Sequence, residues 1–228
     1  AIDASLSLLR HELEHNQVEI VKDYGKPALP VKVDKNKMEQ VLVIGGGPSH
    51  KLHFDEVRNF KGKIVCCDRP AKVMTDQGIK VDYVVTAEAE KTLAMLEFFD
   101  LPKLKELKTE VITSECTRNE LLDYFSKYQI KNRPYIPKNI EPTRLPDVGM
   151  TAIHWVKNEL KPDNILLLGF EHVGEEYDEF TFRSWQGAFW GWVAEWPDGY
   201  IINCSEGGAL YGKCRGKVVI EGRLSEYI

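Results

Sequence analysis

The chemistry in this chain collects where apolar runs stop. Val41-Leu-Val-Ile44 is followed at once by Gly45, Gly46, Gly47, Pro48 and Ser49. Three glycines remove every Cβ from the turn, open positive φ to the backbone and let its N–H groups approach a ligand closely. Pro48 and Ser49 suit the first turn of a helix, whose positive end and free N–H groups would face the same place. The pattern offers a seat for phosphate or carboxylate. It has neither the lysine of a P-loop nor the third glycine of the dinucleotide fingerprint, so a plain tight turn is the competing reading.

The most apolar run, Ile165 to Gly169, ends in Phe170, Glu171 and His172. Imidazole is the side chain best poised for proton transfer near neutral pH, so His172 is read as a general base, with Glu171 or Glu88 orienting it or balancing its charge. In an extended segment Glu171 and His172 point to opposite sides, so one of them faces the ligand. A bystander histidine is the alternative. Asp68 follows the run Lys63 to Cys67, as an acceptor for a ribose hydroxyl or amine, or as the N-cap of a helix starting near Pro70. Glu88 and Glu90 follow Thr86, where helix electrostatics accounts for them as well as substrate contact does. A second glycine-rich turn, Cys204 to Gly212, adds Asn203, Ser205, Gly207 and Gly208 as ligand-loop residues. The acidic stretch Gly174 to Glu179 reads as a solvated loop, with a carboxylate cation site as the rival; no metal ligands are assigned.

These groups need a scaffold that brings strand ends together. Strands at 41–44, 63–67, 79–86, 110–114 and 165–169, the first and last of them continuous apolar runs of the kind covered on both faces, alternate with helical patterns over 49–60, 70–77, 87–99, 117–128 and 147–160. Strands Tyr200 to Asn203 and Lys217 to Ile220 follow. The fold class is α/β: a Rossmann-like, mostly parallel sheet with helices on both faces, plus a small N-terminal helical segment. We divide the chain into a helical lead-in, 1–36, and a nucleotide-binding transferase domain, 37–228. Four prolines between Arg133 and Pro146 forbid regular helix there and mark a functional loop or an extended crossing. Phe182, Trp185, Phe189, Trp192 and Trp196 follow helical spacing, as core, homo-oligomer contact or a stacking platform.

Composition narrows the classes. At 228 residues with 43% hydrophobic and 29% charged residues, the chain is long enough for one folded α/β domain and too short for two ample ones. A net charge of −5 and a pI near 5.8 argue against a broad basic face for nucleic acid. Five scattered cysteines without a C-x-x-C pair fit small buried residues in a reducing compartment. The first residues lack a signal-like apolar run, and no window has the ~20 apolar residues of a membrane span. The expectation is a cytoplasmic protein.

Three stretches read together carry a resemblance: Gly45 to Ser49 after a strand, Gly78 to Thr86, and Leu168 to His172 followed by Asn203 to Gly208. The combination resembles the superfamily that joins bacterial motility accessory factors, which modify flagellin with nonulosonic acids, to archaeal 6-hydroxymethylpterin pyrophosphokinases. Bacterial sialyltransferases that use a CMP-sugar have a similar turn and strand order. The resemblance implies a nucleotide or nucleotide-sugar donor at the first glycine turn, the Asn203 to Gly208 turn nearby, and transferase chemistry on a small-molecule acceptor. The pterin kinases carry paired aspartates, usual magnesium ligands, where this chain has Ala87-Glu-Ala-Glu90. The accessory factors show one acid near Glu88 and an aspartate near Glu171. Three functions follow as expectations: a glycosyltransferase-like enzyme using a CMP-type sugar, an ATP- and magnesium-dependent pyrophosphokinase, or a non-catalytic nucleotide-binding module.

Overall fold

The computed structural model describes residues 39–87, 96–114, 117–136, 147–171, 187–191, 196–197, 200–206, 210, 212–214 and 217–228. The helical lead-in and the boundary near Lys37 lie outside the described residues. At the centre is β1 (Gln40–Ile44), hydrogen-bonded in parallel to β2 (Lys63–Cys67) on one side and β6 (Asn164–Leu168) on the other. Its side chains alternate between two cores, Leu42 and Ile44 into one, Val41 and Val43 into the other, all fully buried. A strand apolar on both faces survives only inside a sheet covered on both sides.

The rest of the sheet comprises β3 (Tyr83–Thr86), β4 (Glu110–Ser114), β5 (Asn132–Tyr135), β7 (Ile201–Asn203), β8 (Gly212–Cys214) and β9 (Lys217–Glu221). The order is β5-β4-β3-β2-β1-β6-β7-β9-β8, with β8 antiparallel to β9 and every other pair parallel. The chain winds outward from β1 to β5, returns to β6 on β1's other side and winds away again. That reversal between β1 and β6 is where open α/β sheets place ligands, beyond the carboxyl ends of the strands. The expected Rossmann-like α/β class is therefore the observed one.

Helices fill the connections. A 3-10 turn, Pro48–Leu52, and α1 (Phe54–Asn59) follow β1, and α2 (Asp68–Asp76) follows β2 directly. The expected start near Pro70 moves back two residues, because a proline in the first helical turn loses an N–H that had no intrahelical partner. α3 (Leu101–Glu106), absent from the sequence reading, is set by the Asp100 carboxylate, which accepts from Lys103 N at 3.0 Å. α4 (Asn119–Lys127) precedes β5. α5 (Val148–Trp155) packs over β1, β2 and β3, then widens into a π turn, Val156–Leu160, and ends at Lys161 with φ +49°.

Two strands went unread. β5 sits in the proline-rich stretch, and as the edge strand it tolerates Pro134. β8 is three residues long and begins at Gly212, the last residue of the second glycine-rich turn. Residues 187–191 are helical, and Phe189, Trp190 and Trp196 are buried in the core beside α5. Phe182, Trp185 and Trp192 lie outside the described residues, as does the acidic stretch after Gly174. Cys66, Cys67 and Cys204 are buried and in no disulfide.

Candidate functional site

The turn after β1 is built against the turn after β6. Gly45 N donates to Leu168 O and Gly47 N to Gly169 O, each at 2.8 Å, while Gly169 N donates to Ser49 Oγ at 3.1 Å. Gly169 has φ +78°, and a Cβ on it would lie 2.5 Å from Gly45 O. A Cβ on Gly45 would sit equally close to Gly169 O. The glycines are thus needed on both sides, for positive φ at one position and for contact between two backbones at both.

Glu171 completes this clamp. It is 2% exposed, its Oε1 accepts from Ser49 N at 2.8 Å, and its Oε2 lies 1.9 Å from the point a Gly47 Cβ would occupy. The carboxylate therefore takes the helix-start position the sequence reading reserved for a ligand anion, in accord with the field at that end. Three of the turn's donors are spent inside the protein. His50, buried, has Nδ1 2.5 Å from Gly47 O; a carbonyl only accepts, so Nδ1 carries the proton. Burial lowers the pKa of His50, favouring the neutral ring, and among the described residues its Nε2 has no partner. Of the expected turn residues, Gly45 and Ser49 are buried, Gly47 is half-buried, and Gly46 and Pro48 are exposed.

Around the reversal stand further polar groups. Asp68 opens α2 at the end of β2; its Oδ1 accepts from Arg69 N at 2.8 Å and its Oδ2 from Thr86 Oγ1, at the end of β3, at 3.4 Å. It is neither the N-cap, which is Cys67, nor solvent-facing. Asp147 caps α5, accepting from Met150 N at 2.8 Å through Oδ1, while Oδ2 is shielded from solvent and has no hydrogen-bond partner among the described residues. Burial pushes its carboxyl up to about 6, partly countered by backbone N–H groups of Met150 and Gly149 and reinforced by the charge of Asp68. Burial, followed by the charges of Asp68 and Asp147, pushes the Cys67 thiol well above its ordinary range. The ring of Phe170 fills the space between Gly45 and Gly149, whose Cβ positions would lie 3.0 and 2.8 Å from it.

The second loop is tied to the same place. Phe170 N donates to Ser205 Oγ at 2.9 Å, and Asn203, buried at the end of β7, accepts from Ser205 N at 3.1 Å and donates to Leu210 O at 3.2 Å. His53 Nε2, before α1, lies 3.0 Å from Glu206 Oε1. The structure thus brings together Gly45 to Ser49, Asp68, Glu171, Asn203 and Ser205. His172, Glu88, Gly207 and Gly208 lie outside the described residues. The sequence reading missed Asp147, Thr86 and Arg69 as site residues. Asp147 was visible as the polar residue opening a helix, and Arg69 as a cation in a helix's first turn, where the dipole disfavours it. Among the described residues no three His, Cys, Asp or Glu side chains are grouped to hold a metal ion, and no helix is long and apolar enough to cross a membrane.

The fold matches that of the MAf glycosyltransferase from Magnetospirillum magneticum AMB-1, with a TM-score of 0.54 and 15% identity over 87% of this chain. The matched part is 37% of that enzyme, so this chain spans little more than a third of it. A protein from Lactobacillus plantarum matches more weakly, at a TM-score of 0.35 and 18% identity over 71% of this chain and 57% of its own. The sequence matches no curated protein. The family model of 6-hydroxymethylpterin diphosphokinase MptE-like proteins matches residues 11–173, well over half of the sequence, and with the shared fold it bears out the resemblance drawn from the motifs. The chain belongs to the 6-hydroxymethylpterin diphosphokinase MptE-like family.

Proposed function

We propose that this chain is a nucleotide-dependent transferase whose donor lies across the carboxyl edge of the sheet at the β1–β6 reversal, and that the donor is an activated sugar of the CMP-linked type. The observation that carries the reading is the convergence at that reversal of the two back-to-back glycine turns, the Asn203–Ser205 loop and the buried acids Asp68 and Asp147. Buried carboxylates there suit hydrogen-bond donors of a ligand, such as ribose hydroxyls or a ring amine, and Asp147 Oδ2 is an acceptor awaiting one. His172 follows Glu171 in the chain and is the proposed general base: it takes the proton of the acceptor hydroxyl as that oxygen bonds to the sugar and the nucleotide leaves. Glu88 and Glu171 are the acids proposed to orient the base or balance its charge, Glu171 by fixing the turn that His172 adjoins. Gly207 and Gly208 belong to the proposed donor loop. Calorimetry with CMP, CDP, ATP, GTP and UDP tests the reading, which predicts binding of at least one; no heat with any of them at millimolar concentration refutes it.

The family match favours a second reading in the same site, pyrophosphoryl transfer from ATP to a hydroxymethyl pterin. It requires magnesium, which neutralises charge on the phosphates. Among the described residues the acids are not grouped as a metal site, and Glu88 or Glu90 would have to complete one. AMP release that depends on both magnesium and pterin selects this reading. Ligand binding without turnover across both donor panels selects the non-catalytic module.

A further inference from the structure

The glycine turn has less to give an anion than its sequence suggests, since Gly45 N, Gly47 N and Ser49 N already donate to Leu168 O, Gly169 O and Glu171 Oε1. Deeper in the site the charges are also wrong for an anion: Asp68, Asp147 and Glu171 are carboxyls. The exposed glycine of the turn is Gly46, and the side chain beside it is Arg69. A Cβ on Gly46 would lie 3.6 Å from Arg69 Cδ and 3.8 Å from its Cβ, so the arginine stem lies against the turn's exposed glycine. The guanidinium carbon lies 5.9 Å from the centre of the Phe98 ring. Arg69 is the second residue of α2, a position where the helix dipole disfavours a cation, and its side chain is exposed.

We propose that Arg69 is the phosphate-holding residue of this site, binding the anionic group of a nucleotide against the open face of Gly46 while the uncharged part of the ligand lies deeper, among Asp68 and Asp147. This rests on the nucleotide reading above and says which group anchors the ligand's charge. A guanidinium presents two parallel N–H groups to phosphate oxygens, which a lysine cannot do. Gly46→Ala adds a methyl in ordinary contact with the Arg69 stem and covers the face on which the phosphate sits.

The test compares wild type, Arg69→Ala, Arg69→Lys and Gly46→Ala by calorimetry with cytidine, CMP, CDP, ATP and inorganic pyrophosphate, with circular dichroism confirming that each variant is folded. Arg69→Ala is expected to weaken binding of the phosphorylated ligands about 10- to 100-fold while leaving cytidine unchanged, with Arg69→Lys in between. Phosphate ligands bound as tightly by Arg69→Ala as by wild type overturn the proposal. Pyrophosphate binding that depends on Arg69, without binding of any nucleotide, keeps the anion seat and sinks the nucleotide reading. A wild-type protein that binds neither sinks both.

Discussion

Asp147→Asn should stabilise this protein at neutral pH, and by an amount that depends on pH. The carboxyl of Asp147 ionises at about 6 in the folded state against an ordinary 3.8, so between those values the native state holds a proton that the unfolded chain has released. Stability then falls as pH rises through that window. At 1.36 kcal/mol per pH unit the loss is about 3 kcal/mol, complete above pH ~7. Asparagine keeps the capping oxygen that Met150 N needs and is as good an N-cap, so the substitution removes the charge without removing the cap. Urea unfolding followed by tryptophan fluorescence, at pH 4, 5.5 and 7, should show the variant level with wild type at pH 4 and up to about 3 kcal/mol more stable at pH 7. The repulsion by Asp68 is already part of that shift. A difference that stays constant with pH, or an asparagine variant less stable at pH 7, would refute the reasoning. A buried charge that costs this much is the kind of destabilisation a binding site tolerates for function, so ligand affinity should fall as stability rises.

Gly47→Ala should cost roughly 2 kcal/mol or more, because its methyl would meet Glu171 Oε2 at 1.9 Å and Gly169 O at 2.8 Å. Chemical denaturation checks it, and adding Glu171→Ala should recover part of the loss, since the two sites share a contact. Glu171→Gln keeps an acceptor for Ser49 N and should retain ligand binding, whereas Glu171→Ala should weaken it; equal loss in both, measured by calorimetry, would mean the charge itself is required. His172→Asn should leave folding and nucleotide affinity nearly unchanged while turnover drops about 10²–10⁴-fold, and a variant keeping a third of the rate would show that His172 is not the base.

The sheet was legible because its strands carry their burial in their composition. Val41 to Ile44 and Ile165 to Leu168 are apolar enough to be read as doubly covered strands, and both appear within a residue of their expected places, as does the more polar Glu110 to Ser114. What escaped has two separate causes. β5 contains a proline that only an edge strand accepts, and edge position belongs to the whole sheet and not to four residues. α3 is six residues long, too short for a helical period to declare itself, although Asp100 and Pro102 carry its start signals.

The site was legible in residue type and illegible in direction. Gly45 to Ser49 and Glu171 were both marked, but as separate features: an empty anion seat and a catalytic acid. They are 122 positions apart where Ser49 N meets Glu171 Oε1, and that pairing follows only from β6 lying beside β1. Once β6 is placed there, the geometry leaves Glu171 little choice. Its side chain enters the space that Gly47 leaves open, where any Cβ would collide with it, and satisfies a helix-start donor that would otherwise be buried unpaired. The glycines therefore answer to a carboxylate of the chain itself before they answer to a ligand. In the proposed binding mode the anion contact therefore lies further out, at the exposed side of Gly46 and the arginine beside it, and the deeper acids take the part of a ligand that donates hydrogen bonds.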